Sequence, residues 1–179
     1  TVSNAICLIG REQEDWSRDY RLFSTHQWDV KGCMNTVLKI GLEHLPPLSF
    51  VPIAVDLTHK RKHGRKIPKA SYQLDPLSPP FQRGILWGIR FLHASLLIPM
   101  HHHNLPARGI PIRFEIAPSI KKPGKRGTPQ DWVEYRKAIK LMNANLQTVA
   151  VFTDLRRVLD EYGIKKNILL TGDGGVCNR

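Results

Sequence analysis

The chain has 179 residues, 41% hydrophobic and 23% charged, an ordinary globular mixture with enough chain for one domain with a real core and a small appendage. Lys and Arg number 27 against 15 Asp and Glu, a net charge of +12, and such a field attracts polyanions, of which nucleic acid is the commonest. No apolar run reaches the roughly 20 residues of a membrane span, the longest, Ile85 to Pro99, being broken by Gly88, Arg90 and His93.

In chain order, residues 1–48 read as helical. Val2, Ala5, Ile6 and Ile9 fall on one face, with Gly10 as a stop. No basic region precedes an apolar stretch at the start, so no signal peptide is expected; both ends read as cut from a longer protein. A second helical pattern runs from Trp28 to Leu45 and ends at Pro46-Pro47, because proline cannot continue the ladder.

Residues 49–58 read as a strand buried on both faces, since Phe50, Val51, Ile53, Ala54 and Val55 are almost continuously apolar. Pro52 is tolerable only near the start of such a strand. The basic run 59–66 follows, then a Pro-rich stretch through Pro76, Pro79 and Pro80 that reads as loop. Ile85, Trp87, Ile89 and Phe91 alternate with period two, and so do Ile110, Ile112, Phe114 and Ile116. Two strands, 84–98 and 108–117, with a polar tip at Met100 to Asn104, predict a hairpin. A second basic loop, 121–127, leads to one long helix over residues 131–162, with Gly163 in the left-handed position beyond its end. A short buried strand over 166–171 carries Ile168-Leu169-Leu170 and runs into Gly172-Asp173-Gly174-Gly175.

Two aspartates stand out by position. Asp56 lies at the far end of one apolar strand and Asp173 just past the end of another. Desolvating a carboxylate costs several kcal/mol unless it is paired. A pair of carboxylates at strand ends commonly holds a cation, and Mg²⁺ takes one or two carboxylates plus phosphate oxygens. The crossover through the long helix can return the last strand parallel to the first. Both aspartates then lie at the carboxyl ends of neighbouring strands, where open α/β sheets bind ligands. Taken singly, Asp56 could cap the following loop near Thr58, and Gly-Asp-Gly-Gly could be a bare turn. Lys60, Arg61, Lys62, Arg65 and Lys66, directly after Asp56, are read as DNA-backbone contacts, and Lys121, Lys122, Lys125 and Arg126 as further ones.

Other features are read as structural. His101-His102-His103 is a polar hairpin tip, because adjacent side chains diverge in an extended chain. Trp87 and Phe91 are core residues rather than base-stacking platforms. Gly172-x-Gly174-Gly175 lacks the Lys-Ser/Thr of a phosphate-binding loop. Cys7, Cys33 and Cys177 are odd in number and form no CxxC, which fits free thiols in a reducing compartment.

The segments Phe50-Val51-Pro52-Ile53-Ala54-Val55-Asp56-Leu57-Thr58 and Ile168-Leu169-Leu170-Thr171-Gly172-Asp173-Gly174-Gly175 resemble the first and fourth strands of the DDE transposases of bacterial insertion sequences. The resemblance covers about residues 49–179, with residues 1–48 as the tail of a DNA-binding region and a linker. It implies an α/β fold of ribonuclease-H-like type, strand order 3-2-1-4-5, with strands 1–4 present. It implies Asp56 and Asp173 as catalytic metal ligands, Mg²⁺ or Mn²⁺ as cofactor, and cleavage and joining of DNA strands. Two metals roughly 3.5–4 Å apart would activate a water or 3′-hydroxyl and stabilise the leaving oxygen. Implied partners are transposon-end and target DNA and further copies of the chain in a dimer or larger synaptic complex, in the cytoplasm and associated with the nucleoid. The family's third acid has no matching position, and Glu115 is not promoted to it. The isolated chain is therefore expected to bind metal weakly and not to cut. Two alternatives stand beside this: a non-catalytic or decayed DNA-binding protein, and another nuclease of the same fold. Ribonuclease H itself is disfavoured by the basic character of residues 119–130.

Overall fold

The computed structural model describes residues 2–25, 27–64, 66–100, 107–141 and 143–172. The chain forms two compact units, Thr1–Gly32 and Cys33–Arg179. In the first, helix α1 (Val2–Leu8) stops at Gly10, whose φ is 73°, the left-handed conformation that glycine adopts without penalty. Helix α2 (Ser17–Thr25) begins where the Asp15 carboxylate accepts from the Ser17 N–H at 3.0 Å. Helix α3 (Val30–Glu43) starts at the boundary of the units, with Asp29 accepting from the Gly32 N–H at 3.0 Å.

The second unit is a mixed α/β structure around a five-stranded sheet. Its strands are β1 (Phe50–Arg61), β2 (Ser71–Leu74), β3 (Ile85–Ile98), β4 (Arg108–Ile116) and β5 (Asn167–Gly172). The sheet order is β2-β3-β1-β5, with β4 also paired to β3. β3 is antiparallel to β1, β2 and β4, whereas β1 and β5 run parallel. The central strand β1 is the apolar run expected to be buried on both sides, and Val51, Ile53 and Val55 are buried in the core. Pro52 precedes Ile53, the first residue paired to β3, so its missing N–H falls outside that ladder.

The strands differ from expectation in extent. β1 continues through His59, Lys60 and Arg61, which pair with Arg90, Ile89 and Gly88, so the first basic run begins inside a strand. A partner strand supplies hydrogen bonds that local propensity did not announce. The Pro-rich stretch contains the short strand β2. Gly88 sits where β1, β2 and β3 meet, paired to both Arg61 and Ser71; a Cβ there would run into the Lys60 carbonyl oxygen.

The faces of the hairpin also differ. Leu92, Ala94 and Leu96 of β3 join the core, whereas Trp87 and Phe91 are half-buried and outside it. On β4 a register shift between Ala94 and Ser95 opposes Ala94 to Arg113 and Ser95 to Pro111. The extra residue inverts the alternation beyond it. Ile112 and Arg113 are both buried, while Phe114 is 42% exposed.

The core lies on one side of the sheet. Leu38 of α3 and Val151, Leu155, Val158 and Leu159 of helix α5 (Ala144–Glu161) pack with Val51, Ile53, Val55, Leu92, Ala94 and Leu96. Arg113, 2% exposed, is held beneath them. It donates to Asp154 at 3.1 Å, to Asn35 at 2.6 Å and to the Ile112 carbonyl at 2.8 Å. The expected single helix over 131–162 is two. Helix α4 (Pro129–Leu141) opens with a reciprocal cap between Thr128 and Asp131 and buries no residue. α5 starts afresh at Asn143, whose side chain accepts from the Leu146 N–H at 2.7 Å. Gly163, φ 74°, follows α5 as expected. No described helix is long and apolar enough to cross a membrane.

Candidate functional site

The site is built from the centre of β1 outward. Successive side chains of a strand point to opposite faces, and directly opposed cross-strand partners share a face. Val51, Ile53 and Val55 occupy the face covered by α3 and α5, so Asp56, Thr58 and Lys60 point to the other. There Asp56 is opposed to His93, Thr58 to Phe91 and Lys60 to Ile89. Asp56 is exposed and accepts a hydrogen bond from the Thr58 hydroxyl at 3.3 Å. Thr58 is thus its neighbour, as expected, but both lie within a strand and Asp56 caps no loop.

On its other side β1 pairs with β5. The described register ends with Ala54 opposite Thr171 and Val55 opposite Gly172. Asp173, the second expected metal ligand, lies outside the described residues, as do Arg65 and the His101–His103 tip. Among the described residues no group of three or more His, Cys, Asp and Glu could hold a metal ion. Asp56 supplies a hard oxygen donor, the type Mg²⁺ and Mn²⁺ take.

A groove of about 870 Å³ runs from Asp56 past Thr58, Lys60, Arg61, His63 and Asp75. Lys60 is exposed in it. Arg61 is engaged by Asp75 at 2.6 Å. The Asp75 carboxyl is held below its ordinary range by the Leu77 N–H and then by the Arg61 guanidinium, because both stabilise the charged form. Lys62 is half-buried, and its backbone N–H donates to the Trp87 carbonyl at 2.9 Å. Lys66 is exposed in the turn that follows. The second basic loop is not brought to this groove. Lys121, Lys125 and Arg126 are exposed elsewhere, and the Lys122 ammonium lies 5.6 Å from the centre of the Trp132 ring, within cation–π range.

Two residues of the site were not singled out from sequence. His59 has its Nδ1 buried without a hydrogen-bond partner, and its pKa is pushed down by burial first and by Arg90 second. His93, seen in the sequence only as a break in an apolar run, stands opposite Asp56 with its ring edge-on to Phe114 at 5.2 Å. A polar residue in register with a strand carboxylate is a signal only once the pairing is known. Comparison with protein-family models, with curated proteins and with solved structures finds no match for this chain.

Proposed function

We propose that this chain is the front part of a ribonuclease-H-like catalytic domain of a DDE transposase, acting on DNA phosphodiesters with Mg²⁺ or Mn²⁺. The observation that carries the reading is the parallel pairing of β1 with β5 in a register that ends at Val55 and Gly172. In the sequence Asp56 and Asp173 each follow a member of that last paired couple by one residue. The order β4-β3-β1-β5 supports the same reading, because it follows the family's 3-2-1-4 for the four strands in question.

The metal, when bound, supplies activation of a water or 3′-hydroxyl and neutralisation of charge on the leaving oxygen. Asp56 and Asp173 would hold it. Thr58, donating to Asp56, fixes the carboxylate's orientation. Lys60 and Lys66, exposed at the groove and just beyond it, would hold DNA through phosphate contacts that position without reading sequence. Arg61 is already paired with Asp75, so its contribution to DNA is smaller than that of Lys60. The DNA partner, self-association in a synaptic complex and a place at the nucleoid belong to this proposal.

Affinity cleavage tests the site. Fe²⁺ in place of Mg²⁺, with ascorbate and peroxide, cuts a polypeptide beside the bound ion. Cuts next to Asp56 and Gly172, competed by Mg²⁺ and absent from Asp56→Asn, are expected. Cuts scattered without regard to Asp56 would leave a basic DNA-binding protein without metal chemistry.

A further inference from the structure

We propose that helix α4 and the basic loop before it form a second docking surface for the phosphate backbone of duplex DNA, apart from the groove at Asp56. The choice of DNA among polyanions rests on the proposed function; the metal chemistry has no part in it.

Charge is concentrated here. Between Pro118 and Leu141 the chain carries seven Lys and Arg against two acids, Asp131 and Glu134. Both acids are engaged locally: Asp131 accepts from the Thr128 N–H at 2.8 Å, and Glu134 from the Gln130 side chain at 3.3 Å. Elsewhere in this unit Arg61, Arg113, Arg156 and Arg157 each face a carboxylate. The seven cations of this segment are all exposed, and none is in an ion pair with a described residue. Surfaces that only need to stay in water intersperse the two signs, whereas a stretch of one sign attracts a polyanion.

Geometry turns the cations into one track. At 3.6 residues per turn, Arg136, Lys137 and Lys140 fall within about 100° of the helix circumference, and Asp131 and Glu134 fall on the opposite side. α4 buries no residue. Its half-buried Trp132, Tyr135 and Ala138 lie along another stripe, and Val133, also half-buried, lies between the three cations. The Lys122 ammonium is 5.6 Å from the centre of the Trp132 ring, which joins the loop to the helix. Trp132 stands about one turn before Arg136, and Arg136 one turn before Lys140. Lys122, Arg136 and Lys140 therefore mark out a row about 12 Å long at roughly 1.5 Å per residue. The row lies on the helical side of the sheet. Ile139 of α4 lines a small cavity with Arg90, Ile120 and Ala144 of α5. Arg90 is opposed to His59, whereas Lys60 points from the other face. The groove at Asp56 includes none of these cations.

The occupant follows from charge and shape. Duplex DNA carries one charge per roughly 1.7 Å of its axis, so a row of this length meets several phosphates. A lipid surface fits less well. An interfacial helix buries a continuous apolar face, whereas the exposed Ile139 and Leu141 flank the cations on opposite sides. Nor are stacking positions offered to a single strand, since Trp132 is half-buried, with Lys122 over its ring and Tyr135 edge-on at 6.0 Å.

The test is the salt dependence of affinity for a short mixed-sequence duplex, measured on the full chain in EDTA so that no divalent metal contributes. Arg136→Gln, Lys137→Gln and Lys140→Gln together exchange good helix formers for another and should leave the circular dichroism spectrum unchanged. They should lower the slope of log affinity against log salt by about 2.7, at roughly 0.9 per phosphate contact. Lys39→Gln, Lys165→Gln and Lys166→Gln remove the same charge elsewhere and should lower it by less than about 1. An equal loss from this second triple would reduce the effect to net charge and overturn the surface. So would an unchanged slope in the first triple while the parent binds duplex, a result that leaves the affinity for DNA standing. No binding of duplex by the parent overturns both. Tighter binding to phosphatidylserine vesicles than to duplex, lost in the first triple, would assign the helix to lipid and overturn the choice of DNA. Failure of metal binding at Asp56, with the slope lowered as expected, would remove the metal chemistry of the proposed function and leave this surface in place.

Discussion

Asp154→Ala should be among the most damaging single changes in the second unit. Arg113 is 2% exposed and Asp154 sits beside it with a side chain 20% exposed. Removing the carboxylate leaves a guanidinium charge in the core, with Asn35 and the Ile112 carbonyl still accepting from it. Breaking a buried pair in this way costs about 3–5 kcal/mol. The surviving neutral acceptors place the expected loss near the lower end, about 3 kcal/mol. For a chain of this size that corresponds to a fall in Tm of roughly 6–12 °C. Urea unfolding followed by circular dichroism would measure it. Arg157, which also pairs with Asp154 but is 64% exposed, is the control: Arg157→Ala should cost under about 1 kcal/mol. Replacing both members, Arg113→Met with Asp154→Leu, should recover most of the loss, because no charge is then stranded. A Tm for Asp154→Ala within about 2 °C of the parent, or an equal loss from Arg157→Ala, would refute the claim that the buried guanidinium needs this partner.

Three further outcomes are expected. Asn143→Ala removes the side-chain acceptor at the start of α5 and should cost about 1 kcal/mol in the same unfolding assay. Folding disfavours the charged form of His59, whose pKa lies below its ordinary 6.5. The unfolded state then binds the proton more readily, so stability is complete above that value and declines as pH falls below it. His59→Gln should flatten this part of the pH–stability curve, and an unchanged slope would contradict the assignment. Lys60→Ala should reduce the slope of log affinity for duplex DNA against log salt by about 0.9, the loss of one phosphate contact, whereas Arg61→Ala, already paired with Asp75, should reduce it less.

Much of the sheet was legible in the sequence because its central strands are read from composition. A run such as Val51 to Val55 has no other good destination than a buried central strand, and the parallel return of Ile168 to Leu170 follows from the crossover, but among the described strands β5 is an edge strand with Leu169 51% and Leu170 42% exposed, not the buried strand its apolar run implied. What escaped was set by tertiary partners. The alternation of Ile110, Ile112, Phe114 and Ile116 implies one inward face, yet the bulge opposite Ala94 and Ser95 buries Arg113 and turns Phe114 outward. His59 to Arg61 have no strand signature of their own and are extended because β3 offers them a ladder. The break between α4 and α5 hides in a stretch whose apolar spacing continues through Leu141 and Leu146, and the Asn143 cap marks it. For the site, Asp56 was legible as a carboxylate ending an apolar run. Its opposition to His93 and the engagement of Arg61 by Asp75 depend on cross-strand register, which no local pattern encodes.

In the proposed function Asp56 and Asp173 share a metal that DNA also contacts. The most direct measurement is the Mg²⁺ and Mn²⁺ dependence of DNA affinity, for the chain and for its Asp56→Asn, Asp173→Asn double variant. Either metal should tighten binding by the parent chain, and the double variant should lose this tightening while keeping its salt-sensitive, metal-independent affinity. Identical, metal-independent binding by both proteins would contradict the shared metal site.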